Sequence, residues 1–374
     1  MVYLDYSATT KPNSEVLDTF VKCSNEFIGN PNSLHKLGVE AKKLIEQATI
    51  QIKNLLKVDH EVIYTSGSTE SNNLALLGVC NMYKTRGKHI ITTKLEHSSI
   101  YGPLKQLEEL GYIIDYVKLD SNGIVDLEDL KRLITDDTIL VSICAVNSEI
   151  GLLQPIDEIA SIIKNYPRCV FHCDATQAIG KINIKLNNID LVSFSAHKFF
   201  GIKGIGVLLK KNNIELKPII SGGNSTTIYR SGTPCLPLIV SLSKALRLSL
   251  IDIDNKYNKV KELNKYLKEN LSKYDKVVIN SNDYSIPHIL NISIIGVKPE
   301  TMLHALEEYE IYISTKSACS SDKDISESVY ALTNDLDLAK RSIRVSISSI
   351  TTKEEIDYFI DKFDMCYNKL TNLR

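Results

Sequence analysis

The chain contains no tryptophan, so tyrosine, with 18 copies, supplies most of its aromatic surface. It has no excess of charge of either sign: 44 basic and 45 acidic residues give a formal net charge of -1. That balance offers no basic footprint for direct nucleic-acid contact or for an anionic membrane surface. No apolar run is long enough to span a bilayer; the longest, Thr138 to Val146, reads as a buried strand. The opening stretch M-V-Y-L-D-Y-S-A-T-T lacks the charged and apolar regions of a signal peptide, which sets the expectation of a cytoplasmic protein. No low-complexity linker and no internal repeat is visible. The 8 cysteines, at positions 23, 80, 144, 169, 173, 235, 319 and 366, have no C-x-x-C spacing. Most sit in apolar segments, as Cys144 does in S-I-C-A-V, and are expected to be buried thiols. Cys319 differs, lying in a polar, serine-rich stretch. Cys169, His172 and Cys173 share one apolar run and read as core, so no metal site is expected.

What is there centres on L-V-S-F-S-A-H-K-F-F-G-I-K-G-I-G, residues 191–206. Leu191, Val192 and Phe194 read as a short buried strand, and Lys198 stands just past its end. Burial lowers a lysine's pKa and makes its amine usable in a Schiff base with a carbonyl cofactor. The glycines that follow let backbone approach something bulky. The same residues also fit a snorkelling surface lysine in a glycine-rich turn.

Strand-like runs at Glu61–Thr65, His89–Thr93, Tyr112–Val117, Ile139–Cys144, Val170–Cys173 and Leu191–Phe194 alternate with amphipathic stretches. Those stretches are Asn72–Tyr83, Ile100–Leu110, Leu127–Ile134 and Ile156–Lys164. Alternation of this kind argues for an α/β fold with a mostly parallel sheet covered by helices on both faces. Beyond residue 235 the texture changes. A charged helical region at Leu238–Tyr274 precedes strands at Lys276–Asn280 and Ile289–Ile294, helix Pro299–Tyr309, strands at Ile311–Ser314 and Ser342–Ile347, and helix Lys353–Tyr367. This reads as a smaller α+β domain.

Ligands of such sheets bind beyond the carboxyl ends of the strands, so the residues just after each run matter most. After Tyr64, T-S-G-S-T-E-S-N-N opens a helix whose free N–H groups suit an anion, with Ser68 and Thr69 as donors. Ordinary N-capping explains the same residues. His97 follows the next run and suits ring stacking, proton transfer or a structural cap. Asn147 follows the run ending at Cys144, ahead of a tight turn at Glu149-Ile-Gly. Asp174 follows Cys173, with Gln177 about one helical turn further on. Each signal is weak alone. An anion cradle, a histidine, an aspartate and a lysine on the strand ends of one sheet suit pyridoxal 5'-phosphate. That cofactor requires a phosphate site, a carboxylate for its pyridine nitrogen and a Schiff-base lysine.

The motifs behind these signals are Y-L-D-Y-S-A-T-T (3–10), G-N-P-N-S-L-H (29–35), T-S-G-S-T-E-S-N-N (65–73), E-H (96–97), N-S-E-I-G (147–151), D-A-T-Q (174–177), S-A-H-K (195–198), R-S-G-T (230–233), S-A-C-S-S (317–321) and S-I-R-V-S (342–346). With them the sequence resembles the NifS-like cysteine desulfurases of the class V aminotransferase superfamily over nearly its whole length. The resemblance implies the fold type I architecture of pyridoxal-phosphate enzymes: a mostly parallel seven-stranded sheet covered by helices in a large domain (13–252). A small domain would combine 253–374 with the N-terminal segment 1–12. It implies conversion of L-cysteine to L-alanine, with sulfur held as a cysteine persulfide. A sulfur-acceptor partner, either an iron–sulfur scaffold or a tRNA-thiolation enzyme, would then receive it. By the same resemblance Lys198 is the Schiff-base lysine, Asp174 partners the pyridine nitrogen and Gln177 bonds the ring hydroxyl. Thr69, Ser195 and His197 hold the phosphate beside the Ser68 backbone. His97 stacks on the ring and moves protons. Thr233 reaches the neighbouring subunit's phosphate, which implies a homodimer. Asn147 and Arg344 bind the substrate carboxylate, and Cys319 takes the sulfur. Lys316 to Ser328 is polar and weakly patterned, as a mobile loop carrying that thiol would be. Lys316 and Lys323 would favour the thiolate.

The chain departs from the family pattern in places. Before R-S-G-T it reads S-G-G-N-S-T-T-I-Y (221–229) where the family has a G-G-G-Q-E-like stretch, and no second arginine follows Arg344. A selenocysteine lyase, or another class V enzyme, would not need Cys319. A non-catalytic homologue that only binds a sulfur-transfer partner would lack the cofactor's yellow colour.

Overall fold

The computed structural model describes residues 1–315 and 325–371. The large sheet has seven strands: β1 (Glu61–Thr65), β2 (His89–Thr92), β3 (Ile113–Tyr116), β4 (Thr138–Ser142), β5 (Val170–Asp174), β6 (Leu191–Ser195) and β7 (Gly206–Lys210). Their order is β1-β7-β6-β5-β4-β2-β3. Only β7 runs antiparallel to its neighbours, β1 and β6; the other pairs are parallel. Strands β4 to β7 are buried along their whole length, as apolar-rich runs covered on both faces should be. β7 is not among the strands suggested by the sequence pattern. Glycines at 201, 204 and 206 give its approach the look of a turn.

Helices cover both faces. Val207 and Leu209 of β7 point into one apolar core, shared with α1 (Ser14–Glu26) and α2 (Lys36–Leu56). Leu208 points into the other, shared with α3 (Ser68–Met82) and α4 (Ser98–Glu109). Two shorter helices, α5 (Leu127–Leu133) and α6 (Ile156–Ile163), complete the alternation.

The helical region expected across Leu238–Tyr274 is two helices, α7 (Leu236–Leu250) and α8 (Ile253–Leu271), broken where Asp252 takes a left-handed φ of 56°. α7 sends Ile239, Leu242 and Leu246 into the first core, whereas α8 sends Val260, Leu263 and Leu267 into a separate one. One continuous helix could not reach both, so the break is a packing requirement. The second core lies against an antiparallel sheet of β8 (Val277–Ile279), β9 (Ile289–Ile294) and β10 (Ser342–Ser346). α9 (Pro299–Glu307) and α12 (Lys353–Thr371) pack on it, whereas α10 (Glu327–Thr333) and α11 (Leu336–Lys340) send Val329 and Ala339 into a separate small core with Leu95 and Cys144. The N-terminal strap joins this half: Val2–Tyr3 pairs in parallel with Ile311–Tyr312, and Asp5 bridges to Ser346. The polar loop expected over Lys316–Ser328 ends sooner than its composition suggests. Ser326 accepts from Val329 N as the cap of α10, so Glu327 and Ser328 are helical. Lys316, Cys319 and Lys323 lie outside the described residues. No helix among the described residues is long and apolar enough to cross a membrane.

Candidate active site

The strand ends gather the chemistry. β5 ends on Asp174, and β6 runs into a single 3-10 turn, Ala196–Lys198. α3 begins after Gly67 with no side-chain cap, so its first N–H groups are available to a ligand. The close passage of β7 is what requires glycine at 206: a Cβ there would stand 2.6 Å from the Gly67 backbone. α4 begins at His97, whose Nδ1 accepts from Ser99 N at 3.2 Å.

A cavity of about 170 Å³ lies between these ends. Of the residues singled out in the sequence, Ser68, Thr69, His97, Asp174, Gln177, His197, Lys198 and Arg344 line it. Ser195 is buried next to them, its Oγ 3.7 Å from where a Cβ on Gly67 would stand. Lys198 Nζ donates to the carbonyls of Ser7 and Ala8 at 2.6 and 2.7 Å. Asp174 accepts from Thr176 N at 2.9 Å and from Asn72 Nδ2 at 2.7 Å. Asn72 Nδ2 also donates to Ser99 Oγ at 2.8 Å, and that hydroxyl lies 2.8 Å from His97 Nδ1. One amide therefore ties the carboxylate to the imidazole. With Nδ1 accepting a backbone N–H, the neutral ring carries its proton on Nε2. Burial, and more weakly the Lys198 charge, hold the His97 pKa below the ordinary imidazole range against the opposing pull of Asp174. Burial, Lys198 and Lys203 bring His197 down to about 4, with its Nδ1 3.1 Å from Thr9 Oγ1.

Two expectations change. Asn147 does not line the cavity, and its amide is fully occupied elsewhere. Nδ2 donates to Leu95 O and Ser328 Oγ, while Oδ1 accepts from Glu149 N and Ile150 N. No donor remains for a substrate carboxylate, so the side chain fixes the turn and the foot of α10 instead. Gln177 lies in a turn rather than a helix; its Nε2 donates to Ser7 O and its Oε1 accepts from buried Lys181. Thr233 is exposed and does not line the cavity of its own chain. Cys319 is outside the described residues.

Other residues of the site carry no role in the sequence reading. Lys181 is held well below the ordinary lysine range by burial, then by Lys198 and Arg344. Cys144 lines the cavity, and burial, Glu96 and Asp174 raise its pKa well above that of a free thiol, which disfavours the nucleophilic thiolate. Thr176 Oγ1 and Ser7 Oγ, in residues lining the cavity, are buried without partners among the described residues, as groups awaiting a ligand would be. These donors, the uncapped helix end, the Asp174 carboxylate and the Lys198 amine fit the phosphate, pyridine nitrogen and aldehyde of pyridoxal phosphate.

A carboxylate, an amine and a helix N-terminus at the strand ends of a mostly parallel sheet define a pyridoxal-phosphate enzyme. Residues 2–359 match the model of the family described as Aminotransferase class-V. The NifS/IcsS protein homolog of Lactobacillus delbrueckii subsp. bulgaricus is 40% identical over 384 residues, covering 100% of this chain and 99% of that protein. Cysteine desulfurase IscS of Dictyoglomus turgidum is 38% identical over 378 residues, covering 100% of this chain and 96% of that protein. A solved NifS-like protein superposes with a TM-score of 0.92 at 34% identity, covering 100% of both chains. The chain belongs to the class V aminotransferase family, in its NifS-like cysteine desulfurase branch.

Proposed function

We propose that this chain is a cysteine desulfurase that converts L-cysteine to L-alanine and leaves the sulfur on Cys319. The observation that carries the reading is the single cavity lined by Lys198, Asp174, His97, Ser68, Thr69 and Arg344. Lys198 Nζ is the amine that would hold pyridoxal phosphate. Asp174 would face its ring nitrogen and Gln177 its hydroxyl. Ser68, Thr69, Ser195 and His197 would hold the phosphate, with Thr233 reaching a second subunit's phosphate. When bound, that cofactor withdraws electrons from the carbon bearing the substrate's amine. Arg344 anchors the substrate carboxylate through its planar fork. Lys198 Nζ moves the proton at the reacting carbon, and neutral His97 is a donor at Nε2. Cys319, as thiolate, attacks the sulfur of cysteine. The C–S bond breaks, an S–S bond forms and the carbon takes a proton. Balanced, L-cysteine and a thiol give L-alanine and a persulfide.

The reading extends to a homodimer in the cytoplasm, with residues 13–252 as the large domain and 1–12 plus 253–374 as the small one. Sulfur would pass to an acceptor protein, an iron–sulfur scaffold or a tRNA-thiolation enzyme. Exposed Leu34, Val39 and Ile50, which line one groove, support the second copy, because a contiguous apolar surface marks an interaction site. The departure at 221–229 joins this region, where Ser225 Oγ donates to Asn32 Oδ1 at 3.0 Å. The test pairs two variants. Lys198→Ala is expected to lose the visible absorbance of bound cofactor. Cys319→Ser is expected to keep it but to form neither persulfide nor alanine; undiminished turnover there would remove Cys319 from the reaction.

A further inference from the structure

The ion pair between Arg344 and Asp5 plays no part in the chemistry above. Arg344 is 1% exposed; its Nη2 lies 2.9 Å from Asp5 Oδ1 and its Nη1 donates to Ser148 O at 2.9 Å. Its Nε has no partner among the described residues. A buried guanidinium without a counter-charge is strongly destabilising, and Asp5 supplies that charge. Asp5 sits on the strap whose Ser7 and Ala8 carbonyls receive Lys198 Nζ. The strap thus offers Arg344 the same kind of anion that an amino-acid substrate brings.

We propose that Asp5 tunes the affinity of the site for amino-acid carboxylates by competing with them for Arg344. This rests on Arg344 being the carboxylate anchor. An incoming carboxylate meets a guanidinium already half neutralised, so it binds less tightly than it would to a lone arginine. Weaker binding speeds release of a product that keeps the same carboxylate. Asp5 is a positioning residue here, since it acts through Arg344.

A purely structural counter-ion predicts the opposite sign. Removing it would let the guanidinium wander, and ligand would bind more weakly. Competition predicts tighter binding, because Asn retains an oxygen for Nη2 while the opposing charge is gone. The experiment is calorimetric titration of the purified holoenzyme with L-alanine, alongside KM for L-cysteine. Asp5→Asn is expected to tighten alanine binding about tenfold and to lower KM in proportion. Asp5→Ser serves as a second neutral variant should Asn fail to fold, and is also expected to bind more tightly. Asp5→Glu keeps the charge and is expected to bind no more tightly than wild type. Unchanged or weaker binding in a folded neutral variant overturns the proposal, as does tightening in Asp5→Glu. Arg344→Ala separates the two layers: retained alanine binding there removes the anchor reading itself. Lost binding there, with no tightening on neutralising Asp5, removes the role of Asp5 alone.

Discussion

Glu96 shows how far a single buried group departs from its ordinary chemistry. Its Oε1 accepts from Thr93 Oγ1 at 2.7 Å and Cys144 N at 2.9 Å, but Oε2 has no partner. Burial outweighs those two bonds and, with Asp174 nearby, pushes its pKa from 4.5 up to about 8. Through that interval the folded chain keeps a proton that the unfolded chain releases. The resulting stability is full below pH 4.5 and is lost as pH rises toward about 8, a change on the order of a few kcal/mol. Glu96→Gln fixes the neutral form, so it is expected to gain stability relative to wild type between pH 6 and pH 9. Denaturant midpoints at both pH values check this; a difference that stays constant with pH would refute it. The sequence displayed Glu96 beside His97 but said nothing of its protonation, which burial in the folded chain decides against the opposing bond from Cys144 N, 48 residues away. Asn147 failed as a substrate ligand for the same reason. Its partners Leu95 and Ser328 lie 52 and 181 residues away, and spacing along a chain does not report where an amide points. The meeting of Asp174 and Lys198 at one cavity was legible because the parallel strands they follow end on the same edge of one sheet.

At the scale of elements, the approach of β7 to the start of α3 is the tightest fit in the site. Gly206→Ala would press its new methyl into the Gly67 backbone, which has no side chain to yield. The expected cost is about 1–3 kcal/mol in stability, with looser cofactor retention as α3's first turn shifts. Thermal unfolding and dialysis against buffer without cofactor measure the two effects; a variant matching wild type in both would show that the contact relaxes freely. Six strands of the large sheet were readable from apolar runs, with ends shifted by a residue or two. α1 was not, because only Val16 and Cys23 of its 13 residues are buried, which leaves little periodic signal. α2 carries a regular stripe at Ala41, Ile45, Ala48 and Ile52, but alanine marks a face weakly. The α7–α8 break was hidden for a different reason: both helices are amphipathic, and only the existence of two cores demands the turn at Asp252.

For the molecule as a whole, the exposed apolar side chains around Leu34 lie beside a groove of about 850 Å³, lined in part by Leu34, Val39, Ile50 and Ser225. The expected native mass is twice 41.9 kDa, and the double change Leu34→Asp with Ile50→Asp is expected to halve it while the fold persists. Sedimentation and circular dichroism decide this; a wild-type monomer carrying cofactor would rule out the shared site.

The stitching of Asp5 to Ser346 also governs when the pocket comes into being during synthesis. The strap is made some 340 residues before the strand that receives it, so the nascent polypeptide can assemble its large sheet with one wall of the cavity still open. Vitamin capture would therefore be completed only once that later strand has been made. A proteolytic nick between the strap and α1 would spare most of the hydrophobic interior and still leave the Lys198 amine unclasped.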